Sequence, residues 1–329
     1  MNRFLKVKGS AVYLPEQCVT SRTLDKQQGY VDGIIESKTG VVKRFYATHE
    51  TASFMAHKAI VDALQDANMQ LENMDCLIAA SGTMEQAIPC NAAKILAQFK
   101  NNLSLAAFDV NMTCLSGLMA LDLASSMLAT GQYKNIVIVS SEIASVGLDW
   151  KDAEVGGLFG DGAVALVVSL GESKNTQVLA SLFRTFPAGV ELCEIRGGGS
   201  LYHPSKIEGD YRELGLFKMQ GKALYRETTK IIAGFIDELL LQSNLKLQDI
   251  DWVVPHQASG LALSHLVKKL QIDPDKVVNL LADRGNQIAA SIPSALHELL
   301  TTKPVKSGDI VLLIGTSAGL SLGAMVLKL

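Results

Sequence analysis

The sequence predicts an α/β protein made of two similar units, and three observations point there. First, apolar strand-length runs alternate with longer helix-like segments: CLIAAS, NAAKILAQF, LAAFDV, GLMALDLASSMLA and NIVIVSS follow one another between residues 76 and 141. This is the rhythm of strands covered by helices, and strands apolar on both faces belong in the middle of a sheet. Second, the chain matches itself. ALQDANMQLENMDCLIAASG (63–82) aligns without gaps with LLLQSNLKLQDIDWVVPHQA (239–258), so that Asn68, Leu71 and Asp75 meet Asn244, Leu247 and Asp251, 176 positions on (251 less 75). NIVIVSS then matches DIVLLIG (309–315), and GAVALVV (162–168) matches GAMVLKL (323–329), in the same order. Third, 329 residues with 48% hydrophobic content exceed what one compact core usually holds. The polar, turn-forming GESKNT (171–176) marks the expected boundary, giving units 1–172 and 173–329.

Along the chain, the amino-terminal MNRFLKVKGSAVYLPE carries basic residues but reaches Lys8, Gly9 and Ser10 before an apolar signal core forms, so a cytoplasmic protein is expected. IVIVSS and AVALVV are strand length, well short of the roughly 18 apolar residues of a membrane span. A net charge of -3 argues against a polyanion-binding surface and hence against nucleic acid. Cysteines 18, 76, 90, 114 and 193 are odd in number and lack CxxC spacing, which fits free thiols and neither a disulfide framework nor a zinc site.

The helix expected over GLMALDLASSMLATG (117–131) has Leu118, Leu121 and Leu128 at helical spacing and Gly131 as its stop. Cys114 stands just before it. Most free cysteines are inert buried residues, and Cys18, Cys76, Cys90 and Cys193 read that way. A thiol at a helix amino terminus, however, faces unpaired N–H groups and the positive end of the dipole, so Cys114 is expected to have a lowered pKa. Ser116 and Gly117 leave room for a substrate.

In WVVPHQASG (252–260), His256 follows an apolar strand, held by Pro255 where the chain turns, and strand ends are where α/β proteins place chemistry. In ADRGNQIAASIPSALHELL (282–300), Asn286 follows Gly285 and precedes a helix with Pro293 near its start; taken alone it reads as a cap or turn former. FGDGAVAL, RGGGS and GTSAGLSLGA lack phosphate-loop spacing and read as tight turns, and HELL lacks the second histidine of a zinc helix. No metal or organic cofactor is expected.

Taken together, TCLSG, PHQAS, GNQIAASIP, FGDGA and the terminal GTSAGLSLGA resemble the β-ketoacyl-acyl carrier protein synthase III family of the thiolase superfamily, and SKTGVVKRF (37–45) and IPCNAAKILAQF (88–99) fit the same pattern. The resemblance runs nearly end to end. It implies the thiolase fold, two α/β units packed in five alternating layers (αβαβα). It also implies a catalytic Cys114, His256 and Asn286. An acyl group on Cys114 would condense with a malonyl (or β-ketoacyl) thioester after loss of carbon dioxide, with the backbone N–H groups of Cys114 and Ala318 as oxyanion hole. The reaction would serve fatty acid initiation or a specialised fatty acid or polyketide-type pathway. The partner implied is an acyl carrier protein bearing acyl and malonyl thioesters, with coenzyme A thioesters as a further donor class, and the assembly implied is a homodimer.

Some aligned positions depart from the family. Where members primed by acetyl coenzyme A sandwich the adenine between Trp and Arg, this chain has Ile34 and Ala153, and Lys38 replaces a further Arg. Aliphatic side chains supply neither the stacking surface nor the cation–π contact. The family's carrier-protein patch reads Arg226, Lys268 and Lys269, with Leu261 in place of another Arg, a cluster able to steer an acidic carrier; Lys268 and Lys269 also fit the solvated face of a helix. Carrier-bound donors are therefore favoured. MEQAIPC (84–90) corresponds to the loop that crosses the family's dimer interface and lines the partner's acyl tunnel, with Ile88 where homologues often carry Phe and Glu85 as a candidate base that also reads as an exposed carboxylate. Two rivals stand beside condensation. One is an acyltransferase passing the group to an O, N or S nucleophile. The other is a non-catalytic carrier-protein-binding subunit, which the joint presence of Cys114, His256 and Asn286 disfavours.

Overall fold

Val164–Val168 and Ile136–Val139 are buried on both faces, which only a strand inside a helix-covered sheet can satisfy. The computed structural model describes residues 2–99, 104–171 and 176–329. The expected junction at residues 172 and 173 lies outside the described residues. In chain order the first sheet and its surroundings comprise β1 (Arg3–Phe4), β2 (Lys6–Tyr13), β3 (Gln17–Thr20), α1 (Ser21–Gln28), α2 (Ile34–Thr39), β4 (Lys43–Tyr46), α3 (Ala52–Asp66), β5 (Cys76–Ala79), α4 (Asn91–Leu96), β6 (Ala106–Asp109), α5 (Ser116–Ala129), β7 (Asn135–Glu142), α6 (Ala153–Gly156) and β8 (Gly162–Ser169). There follow β9 (Gln177–Thr185), β10 (Cys193–Glu194), β11 (Lys218–Met219), α7 (Gly221–Ser243), β12 (Trp252–Pro255), α8 (Gly260–Leu270), α9 (Leu281–Arg284), α10 (Ser291–Thr302), β13 (Ile310–Ser317) and β14 (Ser321–Lys328).

Two five-stranded sheets have the orders β2-β8-β7-β5-β6 and β1-β9-β14-β13-β12. The run β2-β8-β7-β5 repeats as β9-β14-β13-β12, and in each copy the last pair is parallel and the others antiparallel. The internal repeat has a local physical basis. Asn68 and Asn244 both take left-handed φ (52° and 55°) after a long helix, a conformation asparagine tolerates better than most side chains. Seven residues on, the Asp75 carboxylate accepts from the Asn135 N–H (2.9 Å) and that of Asp251 from the Ile310 N–H (2.8 Å), each tying the start of one strand to its parallel neighbour.

Three apolar clusters stack the layers. α3 packs on one face of the first sheet through Met55, Ala59, Ile60 and Ala63. α7 and α8 cover the outer face of the second through Ile232, Ile236, Leu239 and Leu266. Between the sheets lie α5 and α10, with Leu118, Leu121, Ile292 and Leu296 in one fully buried cluster shared with strands of both. A fourth cluster, joining Val19, Ile35, Leu158, Phe159, Leu263 and Leu281, caps one end of the stack with α1, α2 and α6. Among the described residues no helix is long and apolar enough to cross a membrane.

Candidate active site

Cys114 is the last residue but one before α5, where both sheets present the ends of their parallel strands. The backbone there is strained: Thr113 has φ 47°, a region costly for a β-branched side chain. Its surroundings hold it. The Thr113 N–H donates to Asn111 Oδ1 (2.9 Å), and Ser116 Oγ donates to Thr113 O (2.7 Å) while accepting from Met112 N–H (2.8 Å). Across the gap, β13 turns into β14 through Ala318, Gly319 (φ 80°) and Leu320 (φ 49°), and this turn aims the Ala318 N–H at the sulfur, which also receives the N–H of Cys114 itself.

The thiol is not acidified as the sequence suggests. Burial, with a further contribution from the Glu142 carboxylate, pushes it up to about 12, outweighing the two N–H groups that favour thiolate. A helix start is visible in the sequence; a carboxylate delivered by a different strand is not. Glu142, fully buried at the end of β7, accepts from Gly82 N–H (2.6 Å), Thr83 N–H (3.0 Å) and Thr83 Oγ (2.5 Å), and from the Ala289 N–H. Burial nonetheless raises it to about 7.

His256 extends β12 by one residue, its N–H donating to Ile314 O (2.8 Å). The ring is buried, which lowers it to about 4, so it is neutral near pH 7. Nδ1 lies 2.8 Å from Ser291 Oγ at the start of α10, whereas Nε2 has no protein partner among the described residues and is not sealed from solvent. Gln257 locks the strand end: its amide donates to Pro255 O (2.8 Å) and Val278 O (3.1 Å) and accepts from Leu280 N–H (2.8 Å).

Asn286 is held by FGDGA. Its N–H donates to Leu158 O (2.9 Å) and its carbonyl accepts from Gly160 N–H (3.1 Å), an approach so close that a Cβ on Gly160 would stand 2.2 Å from Arg284 O. Asn286 Oδ1 accepts from Ile288 N–H (2.9 Å), which fixes the amide, and Nδ2 donates one hydrogen to Ala258 O (3.3 Å), leaving the other without a partner among the described residues. The three segments converge. A Cβ built on Gly315 would meet His256 Cβ at 2.7 Å and Leu115 at 3.1 Å, and one on Gly82 would meet Ile288 at 2.7 Å and the Thr113 carbonyl carbon at 3.3 Å. Cys114, Ala318, His256 and Asn286 therefore share one region between the sheets.

The remaining candidates lie elsewhere. Arg226 lies in the second turn of α7 and Lys268 and Lys269 in the last turn of α8, all exposed, and the Tyr225 hydroxyl 3.0 Å from His265 Nδ1 ties the two helices together. Arg226 Nε is 3.1 Å from Glu227, so part of its charge is matched locally. Glu85 is not the exposed carboxylate of one sequence reading: its side chain is 17% exposed, 2.8 Å from Lys94 Nζ, and accepts from Ser53 N–H (2.7 Å). Burial would raise its pKa, but Lys94 and the Ser53 amide hold it below the usual carboxylate value. Ile88, 84% exposed, projects from the same loop with Met84. Ile34, half-buried, and Ala153, buried, belong to the apolar cap, and neither supplies an aromatic or cationic face to a base. Beside them a cleft is lined by Asp149, Asp152, Glu191 and Glu194, with Lys218 as the cation, which is itself paired with Asp149. Among the described residues no group of three or more His, Cys, Asp or Glu could hold a metal ion.

Sequence reading passed over Glu142, Gln257 and Ser291. Gln257 and Ser291 stand inside the quoted PHQAS and GNQIAASIP, and Glu142 directly follows NIVIVSS, so strand-end position was the available signal for Glu142 and Gln257, and the helix start for Ser291.

Comparison with known proteins gives concordant results. Residues 108–187 match the family model 3-oxoacyl-[acyl-carrier-protein (ACP)] synthase III, and residues 240–329 match its C-terminal counterpart. The β-ketoacyl-[acyl-carrier-protein] synthase III of Aquifex aeolicus is 32% identical over 329 residues, covering 98% of this chain and 99% of that protein. The crystal structure of 3-oxoacyl-[acyl-carrier-protein] synthase III from A. aeolicus superposes with a TM-score of 0.88 at 32% identity over 99% of this chain and 100% of that one. The priming β-ketosynthase of the R1128 polyketide pathway superposes with 0.87 at 26% identity over 100% and 97%.

Proposed function

The chain belongs to the 3-oxoacyl-[acyl-carrier-protein] synthase III family, and from that premise we propose that Cys114, His256 and Asn286 perform a decarboxylative Claisen condensation between an acyl thioester and a malonyl thioester on acyl carrier protein. The observation that carries the reading is the convergence, between the two sheets, of the Cys114 sulfur, two N–H groups aimed at it, a neutral imidazole with a free Nε2 and an oriented carboxamide.

With the thiol raised and the imidazole lowered, no thiolate–imidazolium pair waits in the resting site. Sulfur attack on the acyl thioester is therefore coupled to loss of its proton, which leaves with the departing carrier thiol, while the N–H groups of Cys114 and Ala318 receive the oxyanion. Malonyl thioester then takes the emptied place. Loss of carbon dioxide leaves an enolate, whose oxygen takes hydrogen bonds from His256 Nε2 and Asn286 Nδ2. Its carbon attacks the Cys114 acyl group, expels the thiolate, which regains a proton, and forms the 3-oxoacyl thioester.

Carrier-bound donors suit this chain better than coenzyme A. Ile34 and buried Ala153 cannot clasp an adenine, and the carboxylates of the adjoining cleft repel the phosphates of an adenosine bisphosphate. Arg226, Lys268 and Lys269 present positive charge to an acidic carrier. The exposed Met84 and Ile88 support a homodimer in which each loop enters its partner. Likeness to a polyketide priming synthase supports a specialised pathway beside fatty acid initiation.

Incubation with acyl carrier proteins and intact-mass measurement test the proposal. Cys114 is expected to gain the acyl mass, Cys114→Ala to gain none, and His256→Ala and Asn286→Ala to acylate yet lose condensation by roughly 100-fold or more. An adduct that survives Cys114→Ala, or acyl transfer without release of carbon dioxide from malonyl carrier protein, would reject it.

A further inference from the structure

We propose that the Ser291 hydroxyl is a positioning group that holds His256 with its ring proton on Nε2, making His256 a hydrogen-bond donor to the condensing substrate and unavailable as the base that deprotonates Cys114. The catalytic consequence rests on the condensation reading above; the tautomer itself does not.

The argument is a count of hydrogens. Ser291 is 1% exposed, so bulk water does not complete the bonding of its hydroxyl. Ser291 Oγ accepts the Gln257 N–H at 2.8 Å and lies 2.8 Å from His256 Nδ1, and these are its partners among the described residues. A serine hydroxyl has one hydrogen to give. If Nδ1 carried the ring proton, Oγ would accept twice and its own buried hydrogen would have no acceptor, a costly arrangement. If Nδ1 is bare, the hydroxyl donates to it and both Ser291 Oγ and Nδ1 are satisfied. The ring proton then sits on Nε2, the nitrogen without a protein partner.

Two features keep this geometry from relaxing. The His256 N–H is fixed to Ile314 O on β13, and the Gln257 side chain pins the next residue to Pro255, Val278 and Leu280. Ser291, as the first residue of α10, is fixed by the burial of Ile292 and Pro293 behind it. The consequence is a division of labour: an Nε2–H can stabilise an enolate oxygen but cannot take a proton from sulfur.

Nitrogen-15 NMR of histidine-labelled protein near pH 7.5, without substrate, tests the tautomer directly, with His256→Gln identifying the signal among six histidines. The expected result is a pyridine-type Nδ1 and a pyrrole-type Nε2 bearing the proton; a proton on Nδ1 would overturn the proposal. In Ser291→Ala the two tautomers should mix and condensation fall about 10- to 100-fold, the usual scale for losing a group that orients a histidine, while the rate of Cys114 acylation stays within about twofold; Ser291→Thr should recover most of the loss. Equal loss of both half reactions in folded Ser291→Ala would also overturn it. Should that variant not fold, the wild-type spectrum still decides. An Nε2–H signature in a chain that never condenses would uphold the tautomer and refute the function.

Discussion

Cys114 sits where its surroundings oppose its ionisation. Burial is the larger cause and the Glu142 carboxylate the second, and together they leave the thiol at about 12. The free protein should therefore resist alkylation at neutral pH. Iodoacetamide labelling of Cys114, followed by peptide mass spectrometry, is expected to quicken with every step in pH through 9 without levelling, because the thiolate fraction is still growing; a plateau below pH 8 would contradict this. The residue types of the site were legible, since Cys114, His256 and Asn286 each follow a visible strand or turn. Their electrostatics were not. The carboxylate behind the thiol and the serine beside the imidazole are both products of distant segments meeting, and nothing within a few residues of Cys114 announces them.

α5 and α10 form the layer between the sheets, and the same substitution should have opposite effects at two helical glycines. In α5, a Cβ on Gly117 would lie 2.6 Å from Pro293 Cγ and 2.8 Å from Ala289 O, and a backbone oxygen and a buried ring cannot move aside cheaply. The overpacking cost of about 1–3 kcal/mol exceeds what alanine gains in the first turn of a helix, so Gly117→Ala should lower thermal stability. Gly234 lies on the exposed face of α7 with nothing within 4 Å of such a Cβ, so Gly234→Ala should raise stability by about 0.5–1 kcal/mol. Paired melting curves check both signs, and a stabilised Gly117→Ala would show the helix contact to be looser than its geometry. The regular elements around these helices were readable because their periodicity is local: β5, β7, β8, β12 and α5 lie where apolar runs place them. The short α6, β10 and β11 were not, since pieces of two to four residues are fixed by tertiary contacts rather than by propensity.

Across the whole molecule two buried titrating groups oppose each other. Glu142, raised to about 7 from an ordinary 4.5, adds stability that is complete below pH 4.5 and is lost as pH rises through 7. His256, lowered to about 4 from 6.5, adds stability that is complete above pH 6.5 and is lost as pH falls through 4. Between about pH 4.5 and 6.5 the two slopes, each near 1.4 kcal/mol per pH unit, largely cancel. Glu142→Gln removes the slope that Glu142 sets against His256, so the variant should lose more stability than the native chain between pH 7 and 4.5, read as urea midpoints; parallel curves would refute the compensation. At this scale the duplication was the most legible feature, because Asn68 with Asp75 and Asn244 with Asp251 perform the same backbone tasks in each copy.

The sulfur comes from the first repeat, whereas the imidazole, the carboxamide and one of the two N–H groups aimed at the sulfur come from the second. A ribosome-bound intermediate that has finished only its first sheet carries the thiol without its imidazole and carboxamide and has no means of condensing anything. Condensation is thus withheld until synthesis is nearly complete, and the onset of turnover marks the moment at which the two copies close upon each other.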